Sequence, residues 1–432
     1  MTHIGEKIKK LRKEKKLTLA DVAKDQMSPA MISLIENGKS KPSAENLKHI
    51  ADQLGVNVSE LLGGGLTKDE LRNELSYLME MLDGIADSVK LEQAMTHIKK
   101  LLPQLGSDFA SARIYELYAR SLFSYYLYYK SKYDMLDDKD WCKYAKQAEI
   151  LYNDLQMESK VLKIQFFLAY VESFQGNYQK TLELINRALN NVIGTDYETI
   201  SVQIDLMLLK MDILDAQGEF EETVRLLDEV IKFSNKHVML NHFFEIHNRG
   251  AIMFYNNNNF TVAREYVNKI NKFFEIVDND YLYLEKEMIL IHYTEFYENE
   301  PSTALEMAEE YEKNLIKIES LNDEWRTIYR KYASDMKARC YTKLKQPENA
   351  LTLFRELLKE DNQHVYEYSP MDVGIRQINK SYQALCYMEL NQLEKAKEYA
   401  QEGVKKLRHY PHTAYYQFAR NVLQEIQMKE IK

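Results

Sequence analysis

LTLADVAKDQMSPAMISLIENGKSKPS, residues 17–43, is the stretch on which the reading of the first domain turns. Thr18 stands where a helix N-cap belongs, and Asp21 three positions on completes a capping box, in which side chains and backbone donors satisfy each other. Leu19, Val22 and Ala23 give this short helix one apolar side. Ser28 can cap the next helix, whose first residue is Pro29, a position where a missing N–H is no loss. Ile32 and Ile35 face inward by helical spacing, and Asn37-Gly38 ends the helix with residues that accept positive φ. Two short helices thus meet at a tight turn, followed by the basic loop Lys39-Ser40-Lys41-Pro42.

Helices extend on both sides of this pair. Ile4, Ile8 and Leu11 recur at helical spacing among Lys7, Lys9, Lys10, Arg12 and Lys13. Ser43 starts a fourth helix with Leu47, Ile50, Ala51 and Leu54 on one face and Gly55 at its end. Val58, Leu61 and Leu62 make a fifth before Gly63-Gly64-Gly65. Residues 1–65 carry 11 Lys/Arg against 8 Asp/Glu, a net of +3, and the rest of the chain carries 46 against 58, a net of −12. A basic head on an acidic body suggests that the head meets a polyanion.

The head resembles the Cro/repressor-type helix-turn-helix family, also called the XRE family. The residues that carry the likeness are LTLADVA (17–23), SPAMISLIENGKSKPS (28–43) and LKHIADQLGVNVSELL (47–62). The resemblance implies that the third helix enters the major groove while the second crosses the backbone. Ser28, Pro29, Ala30, Ser33 and Leu34 would then face bases, with Lys39, Ser40, Lys41 and Thr18 on phosphates. Three departures stand out. Leu19 replaces a frequent Gln, the turn from Ala23 to Ser28 is one residue short and lacks its glycine, and the exposed face of the third helix has no Arg, Gln or Asn. Readout would therefore rest on hydroxyls, methyl contacts and DNA shape rather than bidentate bonds.

A chain of 432 residues exceeds one compact core. Its 14 glycines and 7 prolines, in a sequence rich in Leu, Glu, Lys, Tyr and Ala, favour helix nearly everywhere. No apolar run approaches the ~18 residues of a membrane span, and MTHIGEKIKKLRKEKK lacks the apolar stretch of a signal peptide. Cys142, Cys340 and Cys386 are scattered, without redox or metal spacing. These features predict a cytoplasmic protein with no cofactor and no metal. They offer no phosphate loop and no nucleophile motif, so an enzyme is not expected, and His97, His292 and His364 read as ordinary helix residues.

Beyond residue 65 a pattern recurs: a small turn residue, an aromatic or apolar residue, a small anchor and then a helical apolar stripe. The copies are GNYQKTLELINRAL (176–189), GEFEETVRLLDEVI (218–231), NNFTVAREYVNKI (258–270), NEPSTALEMAEEY (299–311), KQPENALTLFREL (345–357) and NQLEKAKEYAQEGV (391–404). Their anchors are Thr181, Thr223, Ala263, Ala304, Ala350 and Ala396, and further pairs are expected around Ala94 and Ala148. This resembles tetratricopeptide repeats with lengthened helices, which stack into a solenoid with a concave face. Counting back from the anchors places Asp205, Asp212, Glu245, Asn248, Tyr255, Lys286, Tyr293, Tyr332, Asp335, Arg339, Asn379 and Ser381 on that face. Asn248, in HNRGAIMFYNNNNF (247–260), falls on the repeat position that binds a ligand backbone, since an amide both donates and accepts.

The fold expected is therefore all-α. A five-helix helix-turn-helix domain at 1–64 leads through a connecting helical segment at 65–105 to a right-handed repeat solenoid for ligand binding and dimerisation at 106–432. LTKDELRNELSYLMEML (66–82) reads as one long connecting helix. The whole is similar to the peptide-pheromone-responsive regulators of Gram-positive bacteria and their phages, the Rap, Rgg, NprR, PlcR and PrgX group, and is NprR-like in length. The short Ala23–Ser28 turn is shared with several of them. The resemblance implies a homodimer, with a tetramer as the alternative, on a promoter inverted repeat in double-stranded DNA. It also implies a short signalling peptide in the repeat groove, that is, quorum sensing. Two other readings remain: a body that sequesters a response regulator or another protein, and a constitutive repressor whose body only oligomerises.

Overall fold

The computed structural model describes residues 4–56, 58–61, 66–82, 88–128, 133–319, 321, 323–359, 374–375 and 377–430. Leu62, Gly63-Gly64-Gly65 and His364 lie outside them, and so does the boundary read at residue 64. Among the described residues every regular element is a helix. They form two compact units, residues 1–168 and 169–432.

The first unit opens with α1 (Ile4–Glu14), α2 (Leu19–Ala23), α3 (Pro29–Glu36), α4 (Ala44–Leu54) and α5 (Val58–Leu61). The caps are those the sequence suggests. Thr18 and Asp21 form the capping box, Ser28 accepts from the Met31 N–H, Ser43 accepts from the Asn46 N–H, and Gly55 closes α4 in the left-handed region. Ile8, Val22, Ile32, Ile35, Ile50 and Leu54 share one small core. Two polar devices tighten it. Arg12 grips Glu36 through Nε to Oε1 at 2.6 Å and Nη2 to Oε2 at 2.9 Å, and His49 Nε2 lies 3.0 Å from the carbonyls of both Val22 and Ala23. The glycine missing from the turn after α2 is replaced by Lys24 at φ 41°.

LTKDELRNELSYLMEML does form one helix, α6 (Lys68–Met81), but it does not run on through the connecting segment. α7 (Ser88–Leu101) follows, and His97 Nε2 meets Glu74 of α6 at 2.6 Å, so the two helices lie side by side. Leu71, Leu75 and Leu78 give α6 a buried stripe, which α8 (Phe109–Tyr128) covers. α8 also packs on α9 (Trp141–Asp154), where Glu116 sits in a buried bond set with Arg113, Arg120 and Tyr152. The two arginines hold the Glu116 carboxyl down at about 2 despite its burial. Ala94 and Ala148, the expected centres of the upstream pairs, are fully buried.

From α10 (Glu158–Phe174), which spans the boundary between the units, the chain runs in helix pairs: α10 with α11 (Tyr178–Asn190), α12 (Tyr197–Gln217) with α13 (Phe220–His237), and α14 (Phe243–Asn256) with α15 (Phe260–Phe274). Next come α16 (Asp280–His292) with α17 (Pro301–Leu315), α18 (Asp323–Lys343) with α19 (Pro347–Lys359), and α20 (Asn379–Glu389) with α21 (Leu393–Lys406), before a last helix, α22 (Ala414–Glu430). One physical device is repeated six times. Gly176, Gly218, Asn258, Asn299, Lys345 and Asn391 all take positive φ in the turn within a pair. In each, the next N–H reaches back to a carbonyl of the preceding helix, as from Asn259 to Phe254 at 2.9 Å and from Gln392 to Tyr387 at 2.9 Å. All six anchors, from Thr181 to Ala396, are fully buried, because only small side chains fit where paired helices approach closely. α16 passes into a single π-helical turn at Tyr293–Tyr297, an irregularity that often marks a functional position.

Candidate functional site

In the head, most of the residues read as base-facing and phosphate-facing are accessible. Thr18, Ser28, Pro29, Ala30, Leu34, Lys39 and Lys41 are exposed, and Ser33 and Ser40 are half-buried. Their local bonds limit what each can do. The Thr18 hydroxyl is held in the capping box, and the Ser28 oxygen is occupied by the Met31 N–H at 3.1 Å. Asn37 Nδ2 donates to the Ser33 carbonyl at 2.8 Å, while its Oδ1 accepts from Lys9 Nζ at 3.3 Å. Lys9 and Asn37 are thus tied to Ser33, and Met31 lies beside Ser40 at 3.9 Å, although Asn37 reads in the sequence only as a helix terminator. α3 presents two exposed apolar side chains, Met31 and Leu34, and no long polar group.

The second unit contains a cavity of about 230 Å³. Its walls come mainly from the first helices of four successive pairs, α12, α14, α16 and α18. Five of the twelve residues read as groove-lining meet there: Asp212, Glu245, Asn248, Tyr293 and Tyr332. The first turn of the π-helix aims the Tyr293 hydroxyl at Asn248 Oδ1, to which it donates a hydrogen bond. That bond fixes the amide, with its Nδ2 donors left for another acceptor. Arg249 Nε donates to Asp212 Oδ1 at 2.9 Å, and its Nη1 also donates to Glu245, so this lining cation is shared by two lining carboxylates.

The other seven lie away from the cavity lining, and their contacts explain why. Tyr255 is buried among core aromatics with its hydroxyl on Glu298 at 2.8 Å. Lys286 lies over the rings of Phe274 and Tyr283 and pairs with Glu287. Asp205 sits 3.6 Å from His242 Nδ1. Arg339 is wholly buried, donating to Asp335 at 2.7 Å, Asn379 Oδ1 at 2.8 Å and the Ile375 carbonyl at 2.8 Å, so Asp335, Arg339 and Asn379 form one internal cluster. Ser381 packs where a Cβ on Gly403 would come within 2.7 Å of its oxygen, a tight helix crossing with no room for a ligand.

The sequence reading sought polar groups and so missed the apolar wall, which includes Met211, Phe244, Met253, Met288, Trp325 and Met336. It also passed over Asp215 and His292. Both line the cavity and both are buried. Burial pushes the Asp215 carboxyl up to about 6, with only the Asn256 amide opposing it. Burial, aided by the nearby charges of Arg339 and Lys343, pushes His292 well below the usual imidazole range, so the ring is neutral. The only available signal for either was helical spacing, Asp215 three residues after Asp212 and His292 next to Tyr293. Among the described residues no group of three or more His, Cys, Asp and Glu is placed to hold a metal ion, and no helix is long and apolar enough to cross a membrane. Cys340 and Cys386 are buried, their thiols pushed up to about 12 and about 11 by desolvation.

Residues 8–61 match the helix-turn-helix family, and the head is a helix-turn-helix domain. The immunity repressor protein of Bacillus phage phi105 is 38% identical over 61 residues, which cover 14% of this chain and 42% of the repressor. The match thus spans less than half the length of that relative. Among solved structures, PlcR of Bacillus thuringiensis in complex with the peptide PapR7 and DNA is similar at a TM-score of 0.34 and 13% identity, over 64% of this chain and 95% of that one. The apo competence regulator ComR from Streptococcus vestibularis gives 0.34 and 16%, over 68% and 97%. A signal-transduction ATPase with a tetratricopeptide repeat sensor from Pyrococcus horikoshii gives 0.42 and 14%, over 92% and 52%.

Proposed function

We propose that this protein is a cytoplasmic transcription regulator that binds a promoter inverted repeat as a homodimer and is switched by a short signalling peptide held in the cavity of its second unit. The observation that carries the peptide reading is the cavity itself. It is lined mainly by four first helices, mostly apolar, with the Asn248 amide held by Tyr293 so that its N–H donors can meet a ligand carbonyl. The DNA reading is supported by the helix-turn-helix match and by a basic loop beside the exposed α3. In functional terms residues 1–64 bind DNA, 65–105 connect, and 106–432 bind the ligand and dimerise. No reaction is assigned to any residue.

A ligand shifts such a regulator only by its differential affinity for two states. Half-sites lie about one DNA turn, roughly 34 Å, apart, so a small change in the spacing of two heads alters promoter affinity. The test is a mobility shift with DNA from upstream of the protein's own gene, at two salt concentrations, with synthetic peptides encoded by neighbouring small reading frames. A salt-sensitive shift changed by one peptide is expected, and an Asn248→Ala variant should lose that response. A shift indifferent to every peptide would turn the second unit toward a protein partner or plain oligomerisation. No shift at all would overturn the DNA-binding reading.

A further inference from the structure

α3 turns Ile32 and Ile35 into the core of the head and leaves a second apolar set outside. Ala30 and Met31 stand four and three positions before Leu34, so the three side chains share one side of the helix. All three are exposed, Met31 at 39% and Leu34 at 42%. The basic loop folds back beside this set. The N–H groups of Lys39 and Ser40 both donate to the Leu34 carbonyl, at 2.8 and 3.3 Å, and Ser40 Oγ lies 3.9 Å from Met31 Sδ. Two exposed large apolar side chains thus neighbour a loop with two exposed lysines, Lys39 and Lys41.

The polar groups around them discriminate poorly among bases. Thr18 Oγ1 gives its proton to Asp21 Oδ2 at 2.6 Å. A serine hydroxyl, as on Ser28 or Ser33, has one proton, and a single donor meets G N7, A N7 or T O4 alike. Asn37 holds the Ser33 carbonyl at 2.8 Å with Nδ2 and Lys9 Nζ at 3.3 Å with Oδ1, which occupies the pair of groups that would read adenine. Glu36, the remaining long polar residue of α3, is buried on Arg12. An apolar side chain, by contrast, selects by what it excludes. Against a G, A or C edge it displaces water from donors and acceptors and returns no hydrogen bond. The thymine C5-methyl is the apolar group on the major-groove edge, and burying it is favourable.

Resting on the DNA reading above, we infer that Met31 and Leu34 determine the sequence specificity of the head by packing on thymine C5-methyl groups in the major groove, with Lys39 and Lys41 on the flanking phosphates. Side chains three positions apart on a helix are roughly 5–6 Å apart at Cβ. Successive bases rise by about 3.4 Å, so the pair addresses thymines one or two steps apart.

Full-length protein would be used to select duplexes from a random-sequence pool at low salt, and the selected site remade with uracil in place of each thymine in turn. Uracil pairs as thymine does and lacks only the methyl. The expected result is a site with thymines one or two steps apart, and a loss of affinity of roughly fourfold for each contacted methyl removed. Where cytosine replaces such a thymine, 5-methylcytosine should recover part of the loss. Met31→Ala and Leu34→Ala should each bind thymine and uracil alike at the position it faces. Both residues lie outside the core, and the uracil series on the wild-type protein tests the inference without either variant. Equal binding of thymine and uracil duplexes by the wild type would overturn the inference. So would an equal uracil loss in wild type and both variants, which would assign the preference to DNA shape. Either result leaves the DNA reading standing, whereas selection of no duplex would overturn both.

Discussion

Gly5 offers a test in which the sign of the effect decides. It lies inside α1 and is buried against the end of α3. A Cβ built there would stand 2.8 Å from the Glu36 carbonyl oxygen, 2.9 Å from its carbonyl carbon, and closer still to the Ile35 carbonyl oxygen. All three are backbone atoms, so no side chain can swing aside. Gly5 lies in the first turn of α1, where replacing glycine by alanine stabilises by at most about 1 kcal/mol. Overpacking a close contact costs about 1–3 kcal/mol. Relief here requires α1 to move away from α3, which also loosens Ile8 in the core and the Arg12–Glu36 pair. The upper end of that range applies, and Gly5→Ala should lose about 2 kcal/mol net.

Because the chain has two units, a single global unfolding curve would blur this effect. Amide exchange followed by mass spectrometry reads the head alone. A loss of about 2 kcal/mol should speed exchange of the slowest amides in α1 and α3 by roughly 30-fold, with α12–α16 unchanged. Slower exchange in the variant, as bare helix propensity demands, would refute the close approach of α1 to α3.

The remaining tests address other levels of the same argument. Lys345→Asn puts a residue tolerant of positive φ where five equivalent turns have Gly or Asn, and should raise local stability by about 0.5–1 kcal/mol in a denaturation series. Asp215 carries a raised carboxyl pKa, about 6 against the ordinary 3.8, so the folded state holds that proton more tightly than the unfolded chain. Its stabilisation is fully present below about pH 3.8 and is lost as pH rises through 6, by at most about 3 kcal/mol. Asp215→Asn should flatten that slope in urea titrations across the window. Lys39→Ala and Lys41→Ala should each reduce the salt slope of DNA binding by about 1 and weaken all sequences alike, whereas a change in sequence preference would place them on bases instead.

The head was legible residue by residue because its signals are local. A capping box needs only Thr18 and Asp21, and a proline-led helix only Ser28 and Pro29. The repeat was legible for a similar reason, since each copy carries its own turn residue and anchor. Counting from those anchors failed where the helices depart from an ideal repeat. It placed Arg339, Asp335 and Asn379 in the groove, yet their charges and amide close on one another and on the Ile375 carbonyl. Nor does polarity alone say whether a residue faces a ligand or an internal partner. That depends on side chains some forty residues away, as with Tyr255 and Glu298.

A chain of hydrogen bonds from Asp215 through Asn256, Tyr297 and Tyr415 to His292 shows what kind of information the sequence hides. Its members stand at positions 215, 256, 297, 415 and 292, and no window of the chain contains them all. Two of the intervals, 215 to 256 and 256 to 297, are near one repeat length, so stacked first helices bring Asp215, Asn256 and Tyr297 into line. Tyr415 comes from the last helix and closes the line onto His292, one turn before Tyr297. The π-turn is what permits this closure. In an uninterrupted α-helix, positions 292 and 297 would differ by about 500°, or 140° around the axis, and would point apart. With the wider turn over Tyr293–Tyr297, both side chains reach the same Tyr415 hydroxyl. A substitution that restored a regular helix there would cut the chain without replacing any of its members, and it would also draw the Tyr293 hydroxyl away from Asn248 in the cavity wall.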